Sequence, residues 1–244
     1  MSNPFGRHGI DHLSPSSLAL YRNQPSLWCL RYLHGIKDEA NAAMWRGSAV
    51  EAGVDKILYE QSSDDTAIEA ALQTFELNAQ GDLSDEVQKE RAAIPDFVRQ
   101  AGVMFRPLGV PDARQLKIEY WVDGVEVPVI GFIDYKWPEF LYDLKTTYRL
   151  PSEPRSDHAI QVSIYAEAKV VRPWLSYVTP KKGAAFPVDD REQALWVVKR
   201  SARAIRAMLE RAADKNEAAS FFAPDFESYL WNDASKAKAL ELLA

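Results

Sequence analysis

Between Gln115 and Thr147 the hydrophobic period of the chain falls from about 3.6 to 2, and no other feature narrows the fold as much. Leu116, Ile118, Tyr120 and Val122 alternate with polar residues, while Val125 to Tyr135 and Phe140 to Leu144 are β-branched or aromatic runs. Asp123-Gly124 and Pro138-Glu139 punctuate them, so the segment reads as a three-stranded meander with two tight turns. The texture before it is helical. Ser14-Pro15-Ser16-Ser17 offers an N-cap with proline just inside, and Leu18, Tyr21, Trp28, Tyr32 and Leu33 follow at helical spacing. Trp45 to Tyr59, Asp64 to Gly81 and Ser84 to Met104 continue that pattern. After the meander, Asp157 to Val171 returns to helix, and Trp174 to Thr179 and Ala184 to Val188 read as short strands around Lys181-Lys182-Gly183. Glu192 to Asp214 is a long helix, and Pro224 to Ala244 is aromatic and then helical.

These elements make an α/β fold with a central sheet flanked by helices. The chain carries no 20–50-residue repeat and no Ser/Gly linker, so residues 1–244 read as one domain. Within it we expect a helical N-terminal part (1–105), an α/β core (115–214) and a C-terminal helical segment (215–244). A hydrophobic content of 47% over 244 residues suffices for a core. No run of about 18 apolar residues occurs, and Met1 to Asp11 lacks the apolar stretch of a signal peptide, so neither a membrane span nor export is expected and the cytoplasm is the expected location. One cysteine, Cys29, rules out an intramolecular disulfide, an all-cysteine zinc site and a four-cysteine iron–sulfur cluster.

A net charge of -6 gives no general attraction for polyanions, so any such partner needs a local basic surface. Residues 51–100 hold 12 Asp/Glu against 4 Lys/Arg, whereas 169–211 hold 10 Lys/Arg against 4 Asp/Glu. The second segment is the candidate polyanion face, with Lys199, Arg203 and Arg206 on one helix stripe.

Two acidic positions fall at the ends of adjacent strands, in Gly131-Phe132-Ile133-Asp134 and Asp143-Leu144-Lys145. The strand period puts Asp143 and Lys145 on one face. A hairpin that brings Asp134 to Asp143 lets both carboxylates share a hard cation such as Mg²⁺, with a lysine beside it. A lone D-x-K is ordinarily a surface salt bridge. Three further features add to it: Gly47-Ser48-Ala49-Val50-Glu51 on a helix, Gln161 and Tyr165 at i and i+4, and the leader from Leu13 to Tyr32.

Together these resemble the RecB-like branch of the PD-(D/E)XK nuclease superfamily, which includes phage and CRISPR-associated exonucleases. The resemblance spans the leader (Ser14 to Gly35), G-x-x-x-E at Gly47 to Glu51, G-x-x-D at Gly131 to Asp134, D-x-K with Thr146-Thr147, and Q-x-x-x-Y at Gln161 to Tyr165. It implies a restriction-endonuclease-like core with a central mixed sheet. It also implies Mg²⁺, with Mn²⁺ as substitute, held by Glu51, Asp134, Asp143 and Leu144, and catalysis by Asp134, Asp143, Lys145 and Glu51. DNA contacts are expected from Gln161, Tyr165, Lys181, Lys182, Lys199, Arg203 and Arg206. The activity implied is exonucleolytic hydrolysis leaving a 5′-phosphate, in phage or bacterial recombination, repair or degradation, beside a single-strand annealing recombinase and in a homo-oligomer.

Two departures stand out. Gln24 precedes the leader proline where iron–sulfur members carry a cysteine, and Phe221 to Ala234 keeps a Phe/Pro/Trp texture without cysteines, so no cluster is expected. Glu51 replaces the histidine of many members, exchanging a nitrogen ligand for a carboxylate. Bland alternatives remain for single positions: Tyr165 as a buried tyrosine bonded by Gln161, Glu119 as a strand-face charge, His158 as a helix-start residue. Two rival functions are a non-catalytic DNA-binding scaffold that keeps the nuclease fold and a two-carboxylate glycosidase. The first has no lost acidic or lysine position to support it, and the second has no use for Lys145.

Overall fold

The computed structural model describes residues 3–36 and 39–242. Five strands, β1 (Ala113–Tyr120), β2 (Val129–Lys136), β3 (Phe140–Thr146), β4 (Arg172–Val178) and β5 (Gly183–Pro187), lie side by side in chain order. Every neighbouring pair is antiparallel except β3 and β4, which are parallel. A parallel pair needs a crossover, and the helix between them supplies it. The sheet is therefore mixed, as expected.

The first turn of the meander differs from expectation. Val122 and Val125 close a turn around Gly124, whose φ is +77°, but strand pairing resumes only at Val129. Pro128 has no N–H to give a ladder, and its carbonyl instead accepts from Leu13 N, which draws the leader onto the start of β2. The second turn is tight, with Trp137 N donating to the carbonyl of Phe140.

Helices cover both faces. On one lie α4 (Ala42–Tyr59), α5 (Asp64–Ala79) and α6 (Asp85–Phe105), which bury Val50, Phe75, Phe97 and Phe105 against Tyr135 and Val178. A short 3₁₀ turn, Arg106–Leu108, leads from α6 into β1. On the other face α2 (Pro15–Asn23), α3 (Pro25–Tyr32), α7 (Ser156–Lys169) and α8 (Glu192–Arg211) close over Ile118, Ile133, Leu141 and Leu175. The α2 start forms a reciprocal capping box: Ser17 N donates to Ser14 Oγ at 3.0 Å, and Ser14 N to Ser17 Oγ at 2.9 Å.

The chain ends pack onto this second face. The short helix α1 (Pro4–Arg7) delivers Arg7, whose guanidinium donates to the carbonyls of Leu209 and Ala212 at the end of α8. Cations at a helix C-terminus satisfy its orphan carbonyls. The last helices are α9 (Lys215–Ser220) and α10 (Asp233–Leu242). Gln24 ties leader to C-terminal segment, its Oε1 accepting from Trp231 Nε1 at 3.1 Å and its Nε2 donating to Asp225 at 3.4 Å. This polar staple joins the two segments in which iron–sulfur members of the resembled family place their cysteines. Cys29 is buried, its Sγ 3.9 Å from the Ala218 carbonyl, and burial pushes its thiol up to about 12.

Candidate active site

The ladder between β2 and β3 is short, pairing only Tyr135 with Tyr142 and Lys136 with Leu141. One residue further along β2 the strands part, and Asp134 Oδ2 accepts the Leu144 N–H at 2.8 Å where a backbone carbonyl would otherwise stand. A side chain thus completes the sheet, and the opening it creates is the candidate site. Gln115 of β1 adopts φ +44°, an uncommon backbone for a residue with a Cβ. Its amide donates to Glu51 Oε1 on α4 and to Asp134 Oδ1 at 3.4 Å. Gln115 therefore bridges two of the expected acidic residues, although the sequence pattern did not single it out.

Asp143 is 0% exposed, and neither of its oxygens receives a hydrogen bond of good geometry. Its partner is Lys145, whose Nζ lies 2.6 Å from Oδ2, as the shared strand face requires. Burial works against the Lys145 ammonium, but Asp143 and Asp134 outweigh it and hold the lysine above its ordinary range. The acids respond oppositely. Burial, then Asp143 and Glu51, push Asp134 well above the usual carboxylate range, with Lys145 and the Leu144 N–H opposing. Burial also raises Glu51, against the Gln115 bond and with help from Asp55 and Asp143. The Leu144 side chain packs into the α4–α6 core, which leaves the backbone carbonyl as the one oxygen this residue carries.

Gln161 donates to Tyr165 OH at 2.8 Å, and Tyr165 is 2% exposed. The tyrosine is thus buried, and Gln161 is the half-buried member of the pair at the groove. The ring lies so close to Gly131 that a Cβ there would sit 2.4 Å from Tyr165 Cε1, which explains the glycine of G-x-x-D. Gly131→Ala should destabilise the fold by about 1–3 kcal/mol through overpacking. Thermal unfolding checks this, and a variant as stable as wild type would disconnect Gly131 from Tyr165.

A groove of ≈ 670 Å³ runs over the opening, lined by Asp134, Lys145, Gln161, Tyr165 and Gln115 with Ser14, Ser16, Asn23 and Arg31 of the leader. His158 lines it too, its Nδ1 2.9 Å from Tyr177 OH. Asp143 lies beneath the groove floor. The basic positions do not gather here. Lys181 and Lys182 sit exposed on the β4–β5 turn, and Lys199, Arg203 and Arg206 lie on the outer side of α8. Arg203 Nε donates to the Asp123 carbonyl at 3.1 Å, and Arg206 is held by Glu126 at 2.8 Å and Glu210 at 2.8 Å. Helical spacing predicted their common stripe but not the β1–β2 loop packed against it. Glu119 pairs with Lys117 at 2.9 Å, outside the groove.

Among the described residues no three His, Cys, Asp or Glu side chains are gathered closely enough to hold an ion as they stand. The residues nevertheless fit a hard divalent cation. Asp143 is fully buried, with Oδ2 paired to Lys145 and Oδ1 left without a donor, and Asp134 and Glu51 are carboxyls whose ionisation is resisted first by burial and then by the neighbouring like charges. An all-oxygen acidic set of this kind suits Mg²⁺ or Mn²⁺. The Gln115 amide donates to one oxygen of each of Glu51 and Asp134.

A family model described as PD-(D/E)XK nuclease superfamily matches residues 12–172. That span runs from the leader through the opening to the start of β4, and so contains every acidic and lysine position of the site. No curated protein matches the chain. Among solved structures it is similar to one described as the crystal structure of SSO0001, with 16% identity and a TM-score of 0.37 over 82% of this chain and 87% of that one.

Proposed function

Because the chain belongs to the PD-(D/E)XK nuclease superfamily, we propose that it is a Mg²⁺-dependent deoxyribonuclease of the RecB-like, phage-exonuclease type, acting from DNA ends. Its fold is restriction-endonuclease-like, and members of the superfamily usually employ divalent metals. The observation that carries the reading is the split between β2 and β3, which opens Asp134 and Lys145 to one groove above buried Asp143.

Asp134, Asp143 and Glu51, with the Leu144 carbonyl, are the groups to hold the cation. When bound, a divalent cation neutralises phosphate charge and supplies a water of lowered pKa. Lys145 does the rest from the groove wall. Asp143 keeps it protonated, so its ammonium is available to orient the attacking water or to meet charge developing on the phosphate oxygens. Gln161, fixed by Tyr165, positions the scissile strand. Hydrolysis that leaves a 5′-phosphate breaks the bond between phosphorus and the 3′ oxygen. Phage or bacterial recombination, repair or DNA degradation, a strand-annealing recombinase partner, a homo-oligomer and a cytoplasmic setting belong to this reading. Among the described residues no helix is long and apolar enough to cross a membrane.

End-labelled linear DNA should shorten in Mg²⁺ while closed circular DNA survives, and chelation should stop the loss. Persistence of both substrates, with DNA still bound, favours the scaffold reading instead.

Metal linkage gives an independent readout. Asp134 and Glu51 have ordinary values of 3.8 and 4.5 and are raised in the fold. The folded state therefore favours their protonated forms. Their contribution to stability is complete below those ordinary values and is lost as pH rises through the raised folded values. Without metal the fold should weaken over that interval, and Mg²⁺ should raise Tm more at about pH 8 than at about pH 5.5. An increment independent of pH would detach the metal from these acids.

A further inference from the structure

Helix α2 has two working faces. Ser16, Ala19 and Asn23 line the groove described above, while Tyr21 and Arg22 line a separate cleft of ≈ 320 Å³ shared with Arg200 and Ala204 of α8 and with Phe222. One turn before Arg200 stands Trp196, an indole that is 62% exposed, with the Arg200 guanidinium 5.9 Å from its ring centroid. A tryptophan is ordinarily among the more buried side chains, so one left open on a charged helix asks for a partner.

The charges around it point to the partner's sign. Arg203 and Arg206 are occupied by the β1–β2 loop. Arg22, Lys199 and Arg200, by contrast, form no ion pair among the described residues. A chain of net charge -6 thus keeps three cations outside any ion pair among the described residues, one of them beside an exposed aromatic plane and another across the same cleft. A polyanion carrying flat rings satisfies both features, with phosphates meeting the guanidinium and ammonium groups and a base stacking on the indole. A duplex offers the phosphates but keeps its bases stacked inside, so the indole selects for an unpaired strand.

Position supplies the second argument. The cleft and the groove share a nine-residue helix, which spans about 13 Å, the reach of a few nucleotides. Asn23 lines the groove and the adjacent Arg22 lines the cleft, so a strand leaving the groove at Asn23 has Arg22 as its neighbour. We infer that the cleft lined by Arg22 and Arg200, together with the exposed Trp196 indole that Arg200 reaches, holds an unpaired stretch of the DNA strand whose other part lies in the groove. This rests on the nuclease reading and adds to it the substrate class: DNA with a single-stranded portion several nucleotides long.

The test is binding in chelator, by fluorescence anisotropy, of a labelled oligothymidine of about 20 nucleotides and of a blunt duplex of equal length. Wild type should prefer the oligothymidine. Trp196→Ala, and separately the pair Arg22→Gln/Arg200→Gln, should each weaken its binding about tenfold while changing duplex binding less. Both substitutions are on the surface, and unchanged Tm verifies the folds. Variants that bind oligothymidine as wild type does overturn the inference, as does a loss equal for the single strand and the duplex, or no binding of oligothymidine by wild type. The Mg²⁺ assay on linear DNA separates the two claims. Cutting by wild type with unaltered binding in the variants leaves the nuclease reading and removes the cleft, whereas weakened variant binding without any cutting leaves the cleft and removes the nuclease.

Discussion

Asp134→Asn should lower metal-dependent DNA degradation by about 10³-fold or more and, in chelator, raise Tm by about 2–4 °C. The two signs come from one position. As a carboxylate, Asp134 supplies an anionic ligand that an amide cannot replace. Without metal the same charge faces Asp143 and Glu51 in a buried setting, which is why its ionisation is resisted. Asparagine keeps an oxygen for the Leu144 N–H, so the seam between β2 and β3 stays closed by the same bond. A merely structural aspartate behaves differently: its removal lowers Tm and leaves the rate within the stability change. Nuclease assays beside differential scanning calorimetry decide between them. Activity within about tenfold of wild type would remove Asp134 from the site. Lys145→Ala should match the loss, and the double variant should be little worse than either single one, since both residues serve one step.

Much of this site was legible in the sequence because strand geometry is local. The period of two puts Asp143 and Lys145 together whatever the rest of the chain does, and the observed ion pair at 2.6 Å follows from it. The meander and the helix carrying Gln161 and Tyr165 were legible for the same reason. What stayed hidden depends on partners distant in sequence. Gln115 reads as one more polar strand residue until its left-handed φ turns the amide toward Glu51, 64 residues earlier in the chain. Arg203 and Arg206 read as a free basic stripe because nothing on their own helix reveals the loop carrying Asp123 and Glu126, 80 residues away. The start of β2 was misplaced by four residues because Val125 and Val127 are strand formers, whereas Pro128 decides where a ladder can begin.

The other large effect lies behind the site, where no chemistry was expected. Arg46 of α4 and Glu90 of α6 are 5% and 6% exposed and form an ion pair. Arg46 also donates to Thr146 twice, through Nε to Oγ1 and through Nη2 to the carbonyl, each at 3.3 Å. Its guanidinium lies 4.9 Å from the Phe97 centroid and 5.0 Å from that of Tyr148, whose hydroxyl donates to Glu90 at 2.9 Å. Thr146 directly follows Lys145, so this buried cluster fixes the end of the D-x-K strand. Arg46→Met fills the volume but leaves the Glu90 carboxylate buried with Tyr148 as its one remaining donor among the described residues. The expected loss is about 3–5 kcal/mol, or a Tm lowered by roughly 10 °C. Glu90→Leu in the same background removes the stranded charge and should restore most of that loss, because a buried pair replaced by apolar groups is often close to neutral. Urea unfolding of the two single variants and the double one completes the cycle. A double variant as unstable as the sum of the singles would show that Arg46 acts through Thr146 and the aromatic rings alone, with Glu90 contributing nothing to the clamp.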